Sequence, residues 1–358
     1  MNLGKHTPIC LLLSLALSGA FAARAPIAPI INDPYTSYIV VDGISGAVIL
    51  EENADRRIYP ASVIKLMDLL LVIERIEDGR LTLDEWVHVT PKAARMGGSQ
   101  VYLKEGEMFS LDEMLYALSI KSANDVAMAL ALHVGGTEEG FIKLMNERAA
   151  ELGMTGTEFH SVHGLPPDAG DKPDVSTARD LATLSLEIAK HPRALTYTST
   201  IEKWFRNDTF QLLTHNRLLR DVEGCDGLKT GYFRAAGFSI SASATRSGRR
   251  VIAVVAGCKE RQARDDKARE LLTQGFATLP ELKQAAPKPK PEPQDASSPA
   301  VKVAADAPAD EPVVPTEEGR GLGPLGKGVL ISVGVLVLVG LIRTAINAVR
   351  RKRDNWTL

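Results

Sequence analysis

Between Ser62 and Ile76 the chain carries an apolar run with no polar face. Val63, Ile64, Leu66, Met67, Leu69, Leu70, Leu71, Val72 and Ile73 fall all round a helical wheel, and Gly79 closes the segment. A helix that is hydrophobic on every side cannot lie on a surface, so the spacing predicts a buried central helix that other layers must cover. Pro60 just upstream suits a helix start, and Gly79 suits a C-terminal cap. One side chain in this run is out of place for a core. Lys65 sits three residues after Ser62, which puts the two on one face, a turn apart.

That pair has a chemical logic. A serine hydroxyl is a poor nucleophile until a neighbour takes its proton, and a lysine can do so only when neutral. Burial disfavours the charged lysine, and a second cation nearby does the same. Lys229 is the candidate for that second cation. A serine at a helix start also places backbone N–H groups where an oxyanion would form. Alone, the pair reads equally well as a capping serine and a solvated lysine.

Two more short motifs follow in order. Ser122-Ala123-Asn124 connects a helical segment from Leu111 to Ile120 with another from Asp125 to Val134. Ser122 can relay a proton and Asn124 can hold a substrate amide; either can also cap the following helix. Lys229-Thr230-Gly231 lies in a β-rich stretch, with Phe238 to Ala244 and Val251 to Gly257 as the next strands. Strands joined this closely are expected to be antiparallel. Lys229 and Thr230 offer donors to a carboxylate, and Gly231 lets a ligand backbone approach. Three such motifs in one order are the corners of a penicillin-recognising serine site.

From about Tyr38 to about Ala277 the chain resembles the low-molecular-mass penicillin-binding proteins, the serine-type D-alanyl-D-alanine carboxypeptidases. Beyond the three motifs, the resemblance runs through Pro60-Ala61-Ser62, Gly106-Glu107 and the Phe159 to Pro166 stretch ending Gly164-Leu165-Pro166. It continues through Ser176-Thr177-Ala178-Arg179-Asp180, Asn216-Arg217-Leu218-Leu219, and Arg264 leading into Leu271-Leu272 and Gly275-Phe276. It implies an α+β fold of the serine β-lactamase/DD-peptidase kind: an antiparallel sheet flanked by helices, plus a mostly helical region, with the site between them. It implies that Ser62 is acylated by the penultimate D-Ala carbonyl of a stem peptide, that Lys65 is the general base, and that Ser122 and Asn124 position the peptide and help protonate the leaving D-Ala. Lys229 and Thr230 are expected to bind the terminal carboxylate, with Arg264 near that strand. The backbone N–H groups of Ser62 and Tyr232, beside Gly231, are expected to form the oxyanion hole. Ile64 and Asp68 stand where many members carry Thr, and Thr214 where many carry Asn, with His215 in the same motif.

The ends of the chain give a location. Lys5, the apolar run from Ile9 to Leu17 and Ala20-Phe21-Ala22 read as a secretory signal peptide over residues 1–22. After a catalytic domain expected over 30–280, residues 284–323 are rich in Pro, Ala and charge and read as a disordered linker. Leu325 to Val349 reads as a transmembrane helix. Arg350-Arg351-Lys352-Arg353 opens a tail, 350–358, that stays in the cytoplasm, so the catalytic domain is expected on the other side of the cytoplasmic membrane. Membrane lipid, stem peptides of peptidoglycan and β-lactam antibiotics are the expected partners.

Other classes fit less well. A formal net charge of -2 gives no support for nucleic-acid binding. The histidines show no zinc spacing, and no metal or other cofactor is expected. The mature chain keeps Cys225 and Cys258, which the expected sheet places at opposite ends of non-adjacent strands, so no disulfide is expected despite an oxidising compartment. Within the same chemistry, a D,D-endopeptidase cutting cross-links stays open. A β-lactamase lacks support because no Glu-x-x-Leu-Asn motif lies between Asn124 and Lys229. A membrane-tethered sensor with little turnover is disfavoured by a tail too short to signal.

Overall fold

The computed structural model describes residues 27–279. The signal peptide, linker, transmembrane helix and tail expected at 1–22, 284–323, 325–349 and 350–358 lie outside the described residues. Among those described, no helix is long and apolar enough to cross a membrane.

The chain opens with the antiparallel pair β1 (Ser37–Asp42) and β2 (Val48–Glu52). A 3₁₀ turn, Ala61–Ile64, then leads into α1 (Lys65–Glu77). The expected helix is therefore present, but Ser62 sits in the tighter turn before it. Every α1 residue from Lys65 to Ile73 is buried, as an all-round apolar helix requires. Gly79 ends it at φ +78°, a conformation that L side chains rarely adopt.

A mostly helical region follows. It holds β3 (Trp86–His88), α2 (Pro91–Ala94), β4 (Met108–Ser110), α3 (Leu111–Tyr116), α4 (Asn124–Gly135) and α5 (Glu138–Glu151). Ser110 and Glu113 form a reciprocal capping box that fixes the start of α3. Then come α6 (Ala178–Ala189), α7 (Pro192–Thr198), the hairpin β5 (Glu202–Phe205) and β6 (Phe210–Leu213), and α8 (Leu218–Asp221). Thr177 caps α6 by accepting from the Asp180 N–H at 3.0 Å. The Asp180 carboxylate in turn holds Gly156 N–H and the Thr157 hydroxyl at 2.8 and 2.7 Å.

The chain closes with β7 (Cys225–Phe233), β8 (Gly237–Arg246), β9 (Arg249–Cys258) and α9 (Arg261–Thr278). One five-stranded sheet runs β2-β1-β9-β8-β7, and every pairing in it is antiparallel, as expected. Both faces are covered, which explains why β9 is continuously apolar rather than alternating. Its two faces sort by parity. Val251, Ala253 and Val255 join Leu271, Leu272 and Phe276 of α9 in one core. Ile252, Val254 and Ala256 join Leu66, Leu70, Ile73 and the helical region in the other. Cys225 at the start of β7 and Cys258 at the end of β9 are free thiols, as their placement predicted.

The strand order leaves β7 at an edge beside α1. Leu70 lies at the centre of the larger core and is fully buried. Leu70→Ala is expected to cost about 3 kcal/mol of unfolding free energy, measured by denaturant titration, through lost burial and the cavity left behind.

Candidate active site

Four segments converge at the start of α1. The first is the turn that carries Ser62. It is held by two glycines from other parts of the chain. A Cβ on Gly231 of β7 would stand 2.6 Å from the Pro60 carbonyl oxygen, and one on Gly164 would stand 2.2 Å from that of Ala61. Ala61 itself has φ +49°, unusual for a residue with a side chain. Gly231 therefore lets the Ser62 turn pack against the edge strand, a tighter reason for glycine than the ligand approach expected from the sequence.

Lys65 is the centre of the second layer. It is 1% exposed. Its Nζ donates to Ser62 Oγ at 3.1 Å, to Asn124 Oδ1 at 2.8 Å and to the His163 carbonyl at 2.6 Å. Burial pushes its pKa down to about 8, against the pull of Asp68, Asp174 and Asp125. The sequence suggested Lys229 as a second depressing cation. The repulsion appears instead on Lys229, which burial first and then Lys65 and Arg264 hold well below the ordinary lysine value. Lys229 is 4% exposed and donates to its neighbour's carbonyl, Thr230 O, at 3.0 Å.

The second motif lies where expected but works differently in detail. Helix α3 ends in a π-turn, Ala117–Lys121, and Ser122 follows at φ +60°. Neither Ser122 nor Asn124 caps α4; the N-cap is Ala123, with no side-chain bond. Ser122 Oγ is buried and meets no protein partner among the described residues, and Ser122 lines the cleft. Asn124 points inward. Its Oδ1 accepts from Lys65, and its Nδ2 donates to the Gly97 carbonyl at 2.7 Å. In this arrangement its amide orients the lysine rather than facing a ligand. The loop from Gly97 to Leu103 is fixed by Asp125, whose carboxylate accepts from Val101 and Leu103 N–H, and by the Ser99 hydroxyl, which donates to Lys121 O at 2.7 Å.

The cleft of about 230 Å³ is lined by Ser62, Ser99, Ser122, His215, Thr230, Gly231, Tyr232, Phe238, Arg261 and Arg264. It thus gathers residues from all three motifs and from the start of α9. Arg264, placed near the carboxylate-binding strand on the resemblance, is 3% exposed and paired with Asp265. Tyr232 turns its ring outward, stacked on Phe238 with centroids 4.1 Å apart. His215 lines the same cleft. Burial and the charges of Lys229, Lys121, Arg261 and Arg264 hold its pKa down near 4, so it stays neutral at ordinary pH. No role was assigned to it from the sequence.

The loop from Phe159 to Pro166 also has a visible task. Asp174 accepts from His160 N–H, Ser161 N–H and the Ser161 hydroxyl at 2.7, 2.8 and 2.6 Å. Ser161 Oγ then accepts from Gly164 N–H at 2.9 Å. This clamp presents the His163 carbonyl to Lys65. No sequence signal marks a backbone carbonyl. As for metals, Glu74, Glu187 and His191 approach one another, but Arg148 already bridges both carboxylates at 2.8 and 3.2 Å. That cluster reads as an ion-pair network.

Residues 27–260 match the Peptidase_S11 family, described as D-alanyl-D-alanine carboxypeptidase. The chain belongs to this family. It is 36% identical over 250 residues to the D-alanyl-D-alanine carboxypeptidase DacF of Bacillus subtilis, an alignment covering 68% of this chain and 63% of that protein. It is 37% identical over 266 residues to DacC of Escherichia coli, covering 72% of this chain and 64% of the relative. The chain therefore spans a little under two thirds of these curated relatives. The crystal structure of penicillin-binding protein D2 from Listeria monocytogenes in its ampicillin-bound form superposes with a TM-score of 0.62 at 32% identity, covering 68% of this chain and 98% of that one.

Gly164→Ala tests the grip on the turn that carries Ser62. The added methyl meets the Ala61 carbonyl, and φ +72° is strained for alanine. The variant is expected to lose at least about 1 kcal/mol of stability in a denaturant melt, and to label with fluorescent penicillin more slowly than the parent.

Proposed function

We propose that the chain is a serine-type D,D-carboxypeptidase that removes the terminal D-Ala from stem pentapeptides of peptidoglycan. The observation that carries the reading is the 3.1 Å contact between Ser62 Oγ and the Nζ of a fully buried lysine whose proton affinity burial has lowered. Neutral Lys65 takes the hydroxyl proton as Ser62 Oγ attacks the penultimate D-Ala carbonyl. The oxyanion lies against the N–H groups of Ser62 and Tyr232. Collapse of the tetrahedral intermediate breaks the peptide bond. The proton that Lys65 took from Ser62 passes through the Ser122 hydroxyl, on the cleft wall, to the departing D-Ala nitrogen, which leaves Lys65 neutral again. Water, deprotonated at the same lysine, then hydrolyses the ester and frees Ser62.

Thr230 and Arg264 on the cleft lining, with the buried Lys229 next to Thr230 on β7, are the groups that receive the terminal carboxylate. The incoming negative charge offsets the repulsion among Lys65, Lys229 and Arg264 and so favours the protonated form of Lys229. β-Lactams acylate the same serine; the ampicillin-bound relative supports this. No cofactor takes part in this scheme. Asn124 and the His163 carbonyl position Lys65.

The reading extends to location. A cleaved leader at 1–22, a linker at 284–323 and a helix at 325–349 would hold the domain on the outer side of the cytoplasmic membrane. A linker of about 40 residues reaches on the order of 120 Å when extended, enough to work at some depth of cell wall.

Ser62→Ala is expected to abolish covalent labelling by fluorescent penicillin, and Lys65→Arg to slow it by several orders of magnitude, because arginine stays protonated. Lys229→Arg keeps a cation and is expected to retain measurable turnover. Stoichiometric labelling of Ser62→Ala would overturn the assignment. Mass spectrometry of pentapeptide and cross-linked muropeptides after incubation separates carboxypeptidase from endopeptidase action.

Removing residues 320–358 is expected to move the protein out of the membrane fraction while its rate on a small D-Ala-D-Ala peptide is unchanged. Loss of turnover on that peptide would show that the removed residues contribute to the catalytic domain.

A further inference from the structure

Three carboxylates bear on Lys65: Asp68, Asp125 and Asp174. Two of them are spoken for. Asp125 accepts backbone N–H groups from Val101, Leu103 and Val126, and Asp174 accepts two N–H groups and a hydroxyl from His160 and Ser161. Asp68 differs. It lies one helical turn beyond Lys65 on α1, has no exposed surface, and neither of its oxygens meets a donor among the described residues. The charged groups facing it are Lys65 on its own helix, Lys229 on β7 and Asp174 on the loop.

A buried carboxyl without hydrogen bonds is one of the costlier arrangements a core can contain. An apolar side chain would pack there at less cost, so stability does not account for Asp68. Of the two cations facing it, Lys65 has the larger effect and Lys229 the smaller. Lys65 Nζ has three oxygen acceptors within 3.1 Å, the geometry of an ammonium that donates all three protons. An ammonium buried this deeply needs a nearby negative charge. Asp125 and Asp174 keep theirs tied into the loops they organise.

We propose that Asp68 is a positioning residue for the reaction at Ser62: it is the counter-charge of Lys65, and its charge state governs how readily Lys65 gives up its proton. The inference rests on the reading of Lys65 as the base. With Asp68 ionised, the ammonium is held and Ser62 stays protonated. With Asp68 neutral, the ammonium is uncompensated and Lys65 releases its proton. Burial pushes Asp68 well above the ordinary carboxylate range while the Lys65 charge pulls it back, so the two groups titrate as a pair rather than singly.

The sign of the effect follows. Asp68 raises the proton affinity of Lys65. Removing that charge lowers it, so neutral lysine becomes available at lower pH. The acid limb of the acylation profile therefore moves down, while the alkaline plateau, where Lys65 is already neutral, stays.

The test is the second-order rate of acylation by fluorescent penicillin across pH, for the full chain and for Asp68→Asn, an isosteric neutral variant. The parent rate should rise with pH through about 8. The Asn variant should rise about one pH unit lower, with the plateau retained. Asp68→Thr gives the same readout if the Asn variant fails to fold, judged by thermal melting. The parent alone gives an independent measure: ¹³C NMR of the labelled Asp68 carboxyl should show a titration step coincident with that of Lys65. An unmoved acid limb in a folded variant overturns the proposal, as does an Asp68 carboxyl that holds one charge state throughout. A parent that is not acylated at any pH, or a Ser62→Ala variant that is, overturns instead the reading of Ser62 and Lys65, and the NMR titration still decides whether the two groups are coupled.

Discussion

One amine holds the site together. Lys65 Nζ binds Ser62 on the turn before its own helix, Asn124 at the head of α4 and the His163 carbonyl on a distant loop. Three separate stretches of chain thus meet at a single nitrogen. The apolar helix that follows keeps this nitrogen away from water, so the contacts act in a medium of low dielectric. Burial accounts for the lowered proton affinity, and the same burial makes each of the three partners necessary. If any acceptor moves, a buried N–H is left without one.

The sheet and the helical region supply the walls. Because β7 is the last strand of the sheet, one side of its backbone is not covered by another strand among the described residues. Edge backbone groups are ready to pair with an extended chain. The turn that carries Ser62 packs directly on this edge through Gly231, so the Ser62 hydroxyl and the strand edge are held in fixed relation. The two loops that complete the site, around Ser99 and His163, are irregular in backbone. Each is fixed by one buried carboxylate, Asp125 and Asp174 respectively.

Much of this was legible in the sequence because it is written in side chains. The all-apolar run after Ser62 required a central buried helix. The closely spaced strands after Gly227 required antiparallel pairing. The three motifs named Ser62, Lys65, Ser122, Thr230 and Lys229, and all five reach one buried cluster or the cleft beside it. What escaped the sequence depends on backbone and on distance. The His163 carbonyl has no residue-type signature. Asn124 was expected to face a substrate, and only the fold reveals that both ends of its amide are occupied from within. Gly231 was read as room for a ligand, whereas its missing side chain makes room for Pro60. His215 stands among four cations, a neighbourhood assembled from β7, α9 and a helical turn that are far apart in the chain. Asp68 was noted only as a departure from many relatives, since nothing local says that a carboxyl in an apolar helix lacks a donor.

The two thiols lead to a different consequence. Cys225 and Cys258 are both buried enough that their pKa values rise to about 11 and about 12, and β8 keeps them apart. A thiol that remains protonated is a weak nucleophile toward oxidants and disulfides. Among the described residues, both cysteines are thus free thiols held in their less reactive form. Their covalent state does not change between reducing and oxidising surroundings as long as both thiols stay protonated.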